Sequence, residues 1–107
     1  MDNEKIERQI AEKVVDDALA AGYTIDVWDG EEFPLKKSSD REEILKAMFS
    51  TDEDKLYLTK DGKRGWVLLI YGNGYHLISD YTMSLESVLM GAELLSDQLE
   101  TEHGPVA

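Results

Sequence analysis

The 107-residue chain contains no cysteine. That excludes a disulfide framework and a thiolate zinc site, and makes a reducing compartment the simplest home. Only two histidines occur, His76 and His103. Neither has a second histidine four residues on, so the helical zinc motif is missing. No apolar run approaches the roughly 20 residues that span a bilayer. The opening stretch MDNEKIERQI is charged and lacks the apolar core of a secretory signal. A soluble cytoplasmic protein is the expectation. Positive charge is the scarcest resource. All 11 Lys and Arg residues lie at or before Arg64, whereas 23 acids run the whole length, for a net charge of −12. Such a balance argues against binding nucleic acid or an anionic membrane by counterion release. It permits a basic protein partner.

What is present is enough for one globular domain. At 42% hydrophobic residues the chain can bury a modest core. A single domain over 1–103 with a frayed tail at 104–107 is expected. Ile6, Ile10, Val14, Ala18 and Ala21 recur at helical spacing, predicting a helix from about Asn3 to Ala21 that Gly22 stops. YTIDVW alternates as a strand, with Tyr23, Ile25 and Val27 on one face. Asp29-Gly30 then suits a two-residue hairpin turn. The returning EEFPLKK puts Phe33 and Leu35 on one side, and Pro34 confines it to a sheet edge. In SSDREEILKAM, Ser39 and Glu42 fit a capping box ahead of a short helix with Ile44, Leu45 and Met48 buried. KLYLTK alternates with Leu56 and Leu58 inward, Asp61-Gly62 turns the chain, and GWVLLIY reads as a central strand. YHLISDY returns after the Gly72–Gly74 turn. A last helix from Ser84, stapled by Met83 and Val88, carries a core stripe of Leu85, Val88, Ala92, Leu95 and Leu99.

The order α-β-β-α-β-β-β-α predicts an α+β fold. Its antiparallel sheet is a hairpin plus a three-strand meander, with the helices mainly on one face. The other face is then expected to carry Trp28, Tyr57, Val67, Leu69 and Tyr71, an apolar patch that either a terminal helix covers or a second copy buries in a homodimer.

No catalytic, metal or cofactor site is predicted. DVWDGEE and TDEDK cluster carboxylates without the spacing of a calcium loop. His76 and Asp80, four strand residues apart, are separated by roughly 13 Å, so they are read as a partly exposed strand residue and a turn residue. YGNGY lacks the strand-turn-helix context of a phosphate loop. The last helix is more informative. At 100° per residue, Glu86, Glu93, Asp97 and Glu100 fall within about 60° of one another, and Met90 and Leu94 flank them. No lysine four residues away neutralises this row. Asp29, Glu31 and Glu32, with Trp28, extend the surface only if folding brings their loop beside it.

VWDGEE, SSDREEIL, STDED, LLIYGNGYHLISDYT and the closing helix resemble short proteins of proteobacterial genomes, plasmids and prophages, over roughly Tyr23 to Leu99. By size and charge the chain is also similar to anti-CRISPR and anti-restriction inhibitors of mobile elements. The acidic row leads to the expectation of a non-enzymatic module that occupies a basic site on a protein partner, and the likeness in size and charge points to an inhibitor that blocks a nucleic-acid-binding surface of a host defence complex. Glu86, Glu93, Asp97 and Glu100 would attract the partner, and Met90, Leu94 and Trp28 would anchor it. Three alternatives stay open. One is an immunity protein or antitoxin capping a basic nuclease toxin. Another is a dimerisation module using Tyr57, Val67, Leu69 and Tyr71. The last is a small-molecule site lined by Trp66 and Tyr75.

Overall fold

A computed structural model describes residues 3–104. The chain adopts the predicted order: α1 (Asn3–Ala20), β1 (Thr24–Trp28), β2 (Leu35–Ser38), α2 (Arg41–Ala47), β3 (Glu53–Lys60), β4 (Lys63–Ile70), β5 (Ile78–Tyr81) and α3 (Glu86–His103). Short 3-10 turns at Gly74–His76 and Met83–Leu85 precede β5 and α3. The five strands form one antiparallel sheet in the order β2-β1-β3-β4-β5.

The core lies between one face of this sheet and the helices. Ile6, Ile10, Val14 and Ala18 of α1 are fully buried, as their spacing predicts. They meet Ile25 and Val27 of β1, Leu56 and Leu58 of β3, and Val67 and Leu69 of β4, all buried. Helix α1 ends where Gly22 predicts, with Tyr23 N–H donating to Ala18 O and Gly22 N–H to Leu19 O, both at 3.0 Å.

The β3–β4 hairpin is closed by the predicted Asp61-Gly62 turn, both residues at positive φ (52° and 78°). It pairs Lys60 with Lys63, Leu58 with Gly65, Leu56 with Val67 and Asp54 with Leu69. Gly65 is required by a close approach. A Cβ there would sit 2.9 Å from Leu85 Cγ, so its absence lets the Met83–Leu85 turn press onto β4.

Several local expectations are corrected. The β1–β2 connection is longer than two residues, because Asp29 Oδ1 accepts from Glu31 N (3.0 Å) and Glu32 N (2.9 Å) and builds an Asx turn. Strand β2 begins at Leu35 and is an edge, as Pro34 requires, but Phe33 leaves Leu35's side and lies against the rings of Trp28 and Tyr57. The cap of α2 is Asp40 rather than Ser39. Its carboxylate accepts from Glu42 N and Glu43 N, and Ser38 Oγ donates to Glu43. An acidic cap one residue later wins because its charge also complements the helix dipole. Met83 is 76% exposed and staples nothing. His76 lies in a 3-10 turn rather than on a strand, and Asp80 lies within β5 rather than in a turn. Gly104 is tied down, its N–H donating to Glu100 O (2.8 Å) and its carbonyl accepting from Tyr75 Oη (2.7 Å). The remainder of the expected frayed tail, 105–107, lies outside the described residues. Among the described residues, no helix is long and apolar enough to cross a membrane.

Candidate interaction surface

Helix α3 buries Leu89, Ala92 and Leu99, with Leu85 just ahead of it, while Val88 and Leu95 are only partly buried. Its core stripe is therefore centred on Leu89 and Ala92 rather than on Val88 and Leu95. Ser96 shares this side and donates its hydroxyl to Tyr75 O. Measured from that side at 100° per residue, the row Glu86, Glu93, Asp97 and Glu100 lies about 90° round the helix. Met90 and Leu94 lie about 160° round, at 54% and 62% exposure. All four acids are exposed.

The acidic flank faces β5. Glu93, Ser96 and Asp97 line a hollow of about 230 Å³ together with Ile10, Tyr75, His76 and Ile78. At the other end of β5, the carboxylate of Glu93 raises the pKa of the Tyr81 phenol, with lesser contributions from burial, Glu86 and Asp80. Glu93 thus lies near both Ile78 and Tyr81, the two ends of β5.

Among the described residues, no salt bridge neutralises these acids. Arg8 pairs with Glu12, Lys13 with Asp17, and Arg41 with Glu12, Asp16 and Glu42. The Lys13–Asp17 pair packs over Gly91 of α3, where an added Cβ would meet Asp17 Oδ2 at 2.5 Å.

The loop acids do not join this row. Strands β3 and β4 separate β1 from β5, which is about 14 Å of sheet at three strand spacings. Asp29 and Glu31 instead line a shallow hollow with Thr51, Asp52 and Glu53. Glu32 and Glu31 donate their amides to Asp29, which holds its carboxyl below the ordinary range. Trp28 lies on the outer sheet face, so it is not an anchor beside Met90 and Leu94.

That outer face is open, but its residues differ from those expected. Val67, Leu69 and Tyr71 are on the helix side: Val67 and Leu69 are fully buried, and Tyr71 packs against the core and Phe49. Residues directly opposite in a ladder share a face. Leu56 is inward, so Val67 is too, and the outward positions fall to Trp66 and Leu68. Tyr57 is outward as predicted, opposite Trp66. Lys55 Nζ stands 4.6 Å from the centre of the Trp66 ring, and Arg64 lies 4.2 Å over Tyr57 while pairing with Asp26 at 2.9 Å. Trp66 and the core residue Tyr75 therefore occupy opposite sides of the sheet and cannot line one pocket.

No family model, curated protein or solved structure matches this chain. Among the described residues, no group of three or more His, Asp or Glu is arranged to hold a metal ion.

Among the described residues three acids, Glu7, Asp26 and Asp54, are buried away from this surface, and Asp26 is paired with Arg64. Glu7 Oε2 accepts from Gly72 N (2.6 Å) and Gly74 N (2.8 Å), which pins the turn before β5 to α1. Asp54 is fully buried. Its Oδ2 accepts from Phe49 N (2.9 Å) and the Tyr71 hydroxyl, and its Oδ1 has no partner. Burial above all raises its pKa from 3.8, and burial and Asp54 raise that of Tyr71. Because native Asp54 binds its proton more tightly than the unfolded chain does, its contribution to stability falls as pH rises from 3.8 through the raised value. Asp54→Asn keeps an acceptor for Phe49 N–H and removes the buried charge. The unfolding free energy of this variant relative to wild type is therefore expected to improve as pH rises from 3.8 through the raised value of Asp54, and to level off above it. A flat difference across that range in denaturant titrations would refute the assignment.

Proposed function

We propose that this protein is a non-enzymatic binding module that uses the acidic flank of α3 to occupy a basic surface on a protein partner. The observation that carries this reading is the row Glu86, Glu93, Asp97 and Glu100, exposed and without a paired cation, beside exposed Met90 and Leu94. Unneutralised charge steers association, and apolar side chains at its margin hold the complex once water is expelled. The partner class we favour is a nucleic-acid-binding surface of a host defence complex, whose groove is cationic for its own purposes. A basic nuclease toxin offers the same chemistry. The loop acids Asp29, Glu31 and Glu32, and Trp28, drop out of this contact because the fold places them across the sheet. The test is affinity capture from host lysate at low and high salt, with wild type and with the four acids changed to lysine. A partner held by wild type at low salt, and lost both to high salt and to the variant, supports the reading. Equal recovery by both proteins refutes it.

A second reading rests on the outer sheet face. Trp28, Phe33, Tyr57, Trp66, Leu68 and Ile70 are absent from the helix-side core, and among the described residues no helix is packed on their face of the sheet. Two copies packed face to face would cover them. Trp66→Glu would then convert a two-chain mass in light scattering to a one-chain mass. A wild-type mass of one chain at micromolar concentration would rule the dimer out.

A further inference from the structure

The two edges of the sheet are not alike. Strand β2 carries the usual defences against pairing: Pro34 before it, Lys36 and Lys37 on it, and Lys37 in a left-handed conformation (φ 49°). Strand β5 has neither proline nor lysine. Among the described residues, β4 pairs with one side of it and no strand with the other.

Amides point alternately to the two sides of a strand. Thr82 N–H donates to Trp66 O on β4 at 2.9 Å, so the Tyr81 amide before it points to the open side. There it is taken only by the neighbouring Asp80 Oδ1, at 2.9 Å. Toward the Ile78 end of the strand lies the hollow already described, lined by Ile10 and Ile78 and, on α3, by Glu93 and Asp97, and at the Tyr81 end the carboxylates of Glu93 and Glu86 act on the Tyr81 phenol. Glu86 to Asp97 covers about 16 Å of helix, a length that about five extended residues match.

We propose that β5 is a docking edge for an extended basic segment of a protein partner, which adds a strand against Ile78–Tyr81 and turns alternate Lys or Arg side chains toward Glu86, Glu93 and Asp97. The inference rests on the acidic-surface reading above and specifies how the partner engages it. Charge complementarity selects the occupant, since no Lys or Arg lies anywhere from β5 to the end of α3. Backbone pairing supplies affinity, and the alternation of the added strand supplies selectivity. A partner helix would satisfy the carboxylates but leave the Tyr81 amide without a strand acceptor.

The test uses a capped heptapeptide of alternating lysine and valine, and two analogues N-methylated on one or the other alternating set of amides. All three have the same charge. Binding is followed by NMR titration of the full-length protein, with Glu93→Lys/Asp97→Lys as the charge control. Methylation of the set facing β5 is expected to weaken binding at least about tenfold, through lost hydrogen bonds and steric blockage. Methylation of the other set leaves binding close to the parent, and the Tyr81 amide gains exchange protection in the parent complex. If both analogues bind like the parent, or weaken equally, strand addition is wrong. The acidic-surface reading then survives only if the lysine variant loses all three peptides. If no peptide binds wild type, strand addition is overturned, and the capture experiment decides the broader reading by itself.

Discussion

Changing Glu86, Glu93, Asp97 and Glu100 together to lysine is expected to slow association with the captured partner by about ten- to a hundredfold at low salt. Each reversal adds two charges, so the net charge moves from −12 to −4. The steep decline of association rate with ionic strength should flatten as well, because the attractive field is gone. The fold should survive, since the four side chains are exposed and lysine matches glutamate in helix propensity. Glu86, in the first turn of α3, gives up a favourable dipole interaction worth about 0.3–1 kcal/mol. Lower self-repulsion of the whole chain offsets that loss. Met90→Ala and Leu94→Ala act differently: they raise the dissociation rate and leave the salt slope alone. Stopped-flow rates across a salt series separate the two effects. Unchanged rates and slope in the four-lysine protein, with intact circular dichroism, would remove the functional reading.

Leu69→Ala is expected to cost about 2–5 kcal/mol of unfolding free energy, and its neighbour Leu68→Ala less than about 1 kcal/mol. The two residues are chemically identical and adjacent, and differ only in the face they occupy. Leu69 is fully buried opposite Asp54, whereas Leu68 lies on the open side opposite Lys55. Removing Leu69 leaves a cavity between sheet and helices that a close-packed interior cannot fill. Removing Leu68 exposes little new surface, unless a second copy covers it. Urea denaturation of the two variants measures the contrast, and equal costs would mean that the face assignment of β4 is wrong.

That contrast also marks where sequence reading succeeds and where it stops. Central strand β4 is apolar at nearly every position, so its own pattern does not show which face is inward. The deciding facts lie in its partner. Leu56 and Leu58 alternate with Tyr57 and Thr59, and the Asp61-Gly62 turn fixes the pairing. Together they place Val67 and Leu69 under the helices. Propagating the hairpin register, rather than reading GWVLLIY alone, would have put Trp66 and Leu68 outside. The Asp40 cap was similarly close to the surface of the sequence, because the serines and the aspartate before α2 compete for one role, and the aspartate's charge beside the helix dipole decides between them.

The sequence by itself determined the element order, the α+β class, the inward faces of α1 and β3, the edge position of β2, and the carboxylate row of α3. Each is local: helical or strand periodicity, turn chemistry, or the fixed 100° step of a helix. Only the tertiary structure decided what those features meet. It brought the acidic flank of α3 to edge strand β5, with Glu93 and Asp97 beside Ile78 and with Glu93 and Glu86 acting on Tyr81. It put Asp29, Glu31 and Glu32 across the sheet and buried Asp54 without a cation. The reason is strand order. Hydrogen bonding between segments distant in sequence placed β3 and β4 between β1 and β5, and no local pattern encodes that distance.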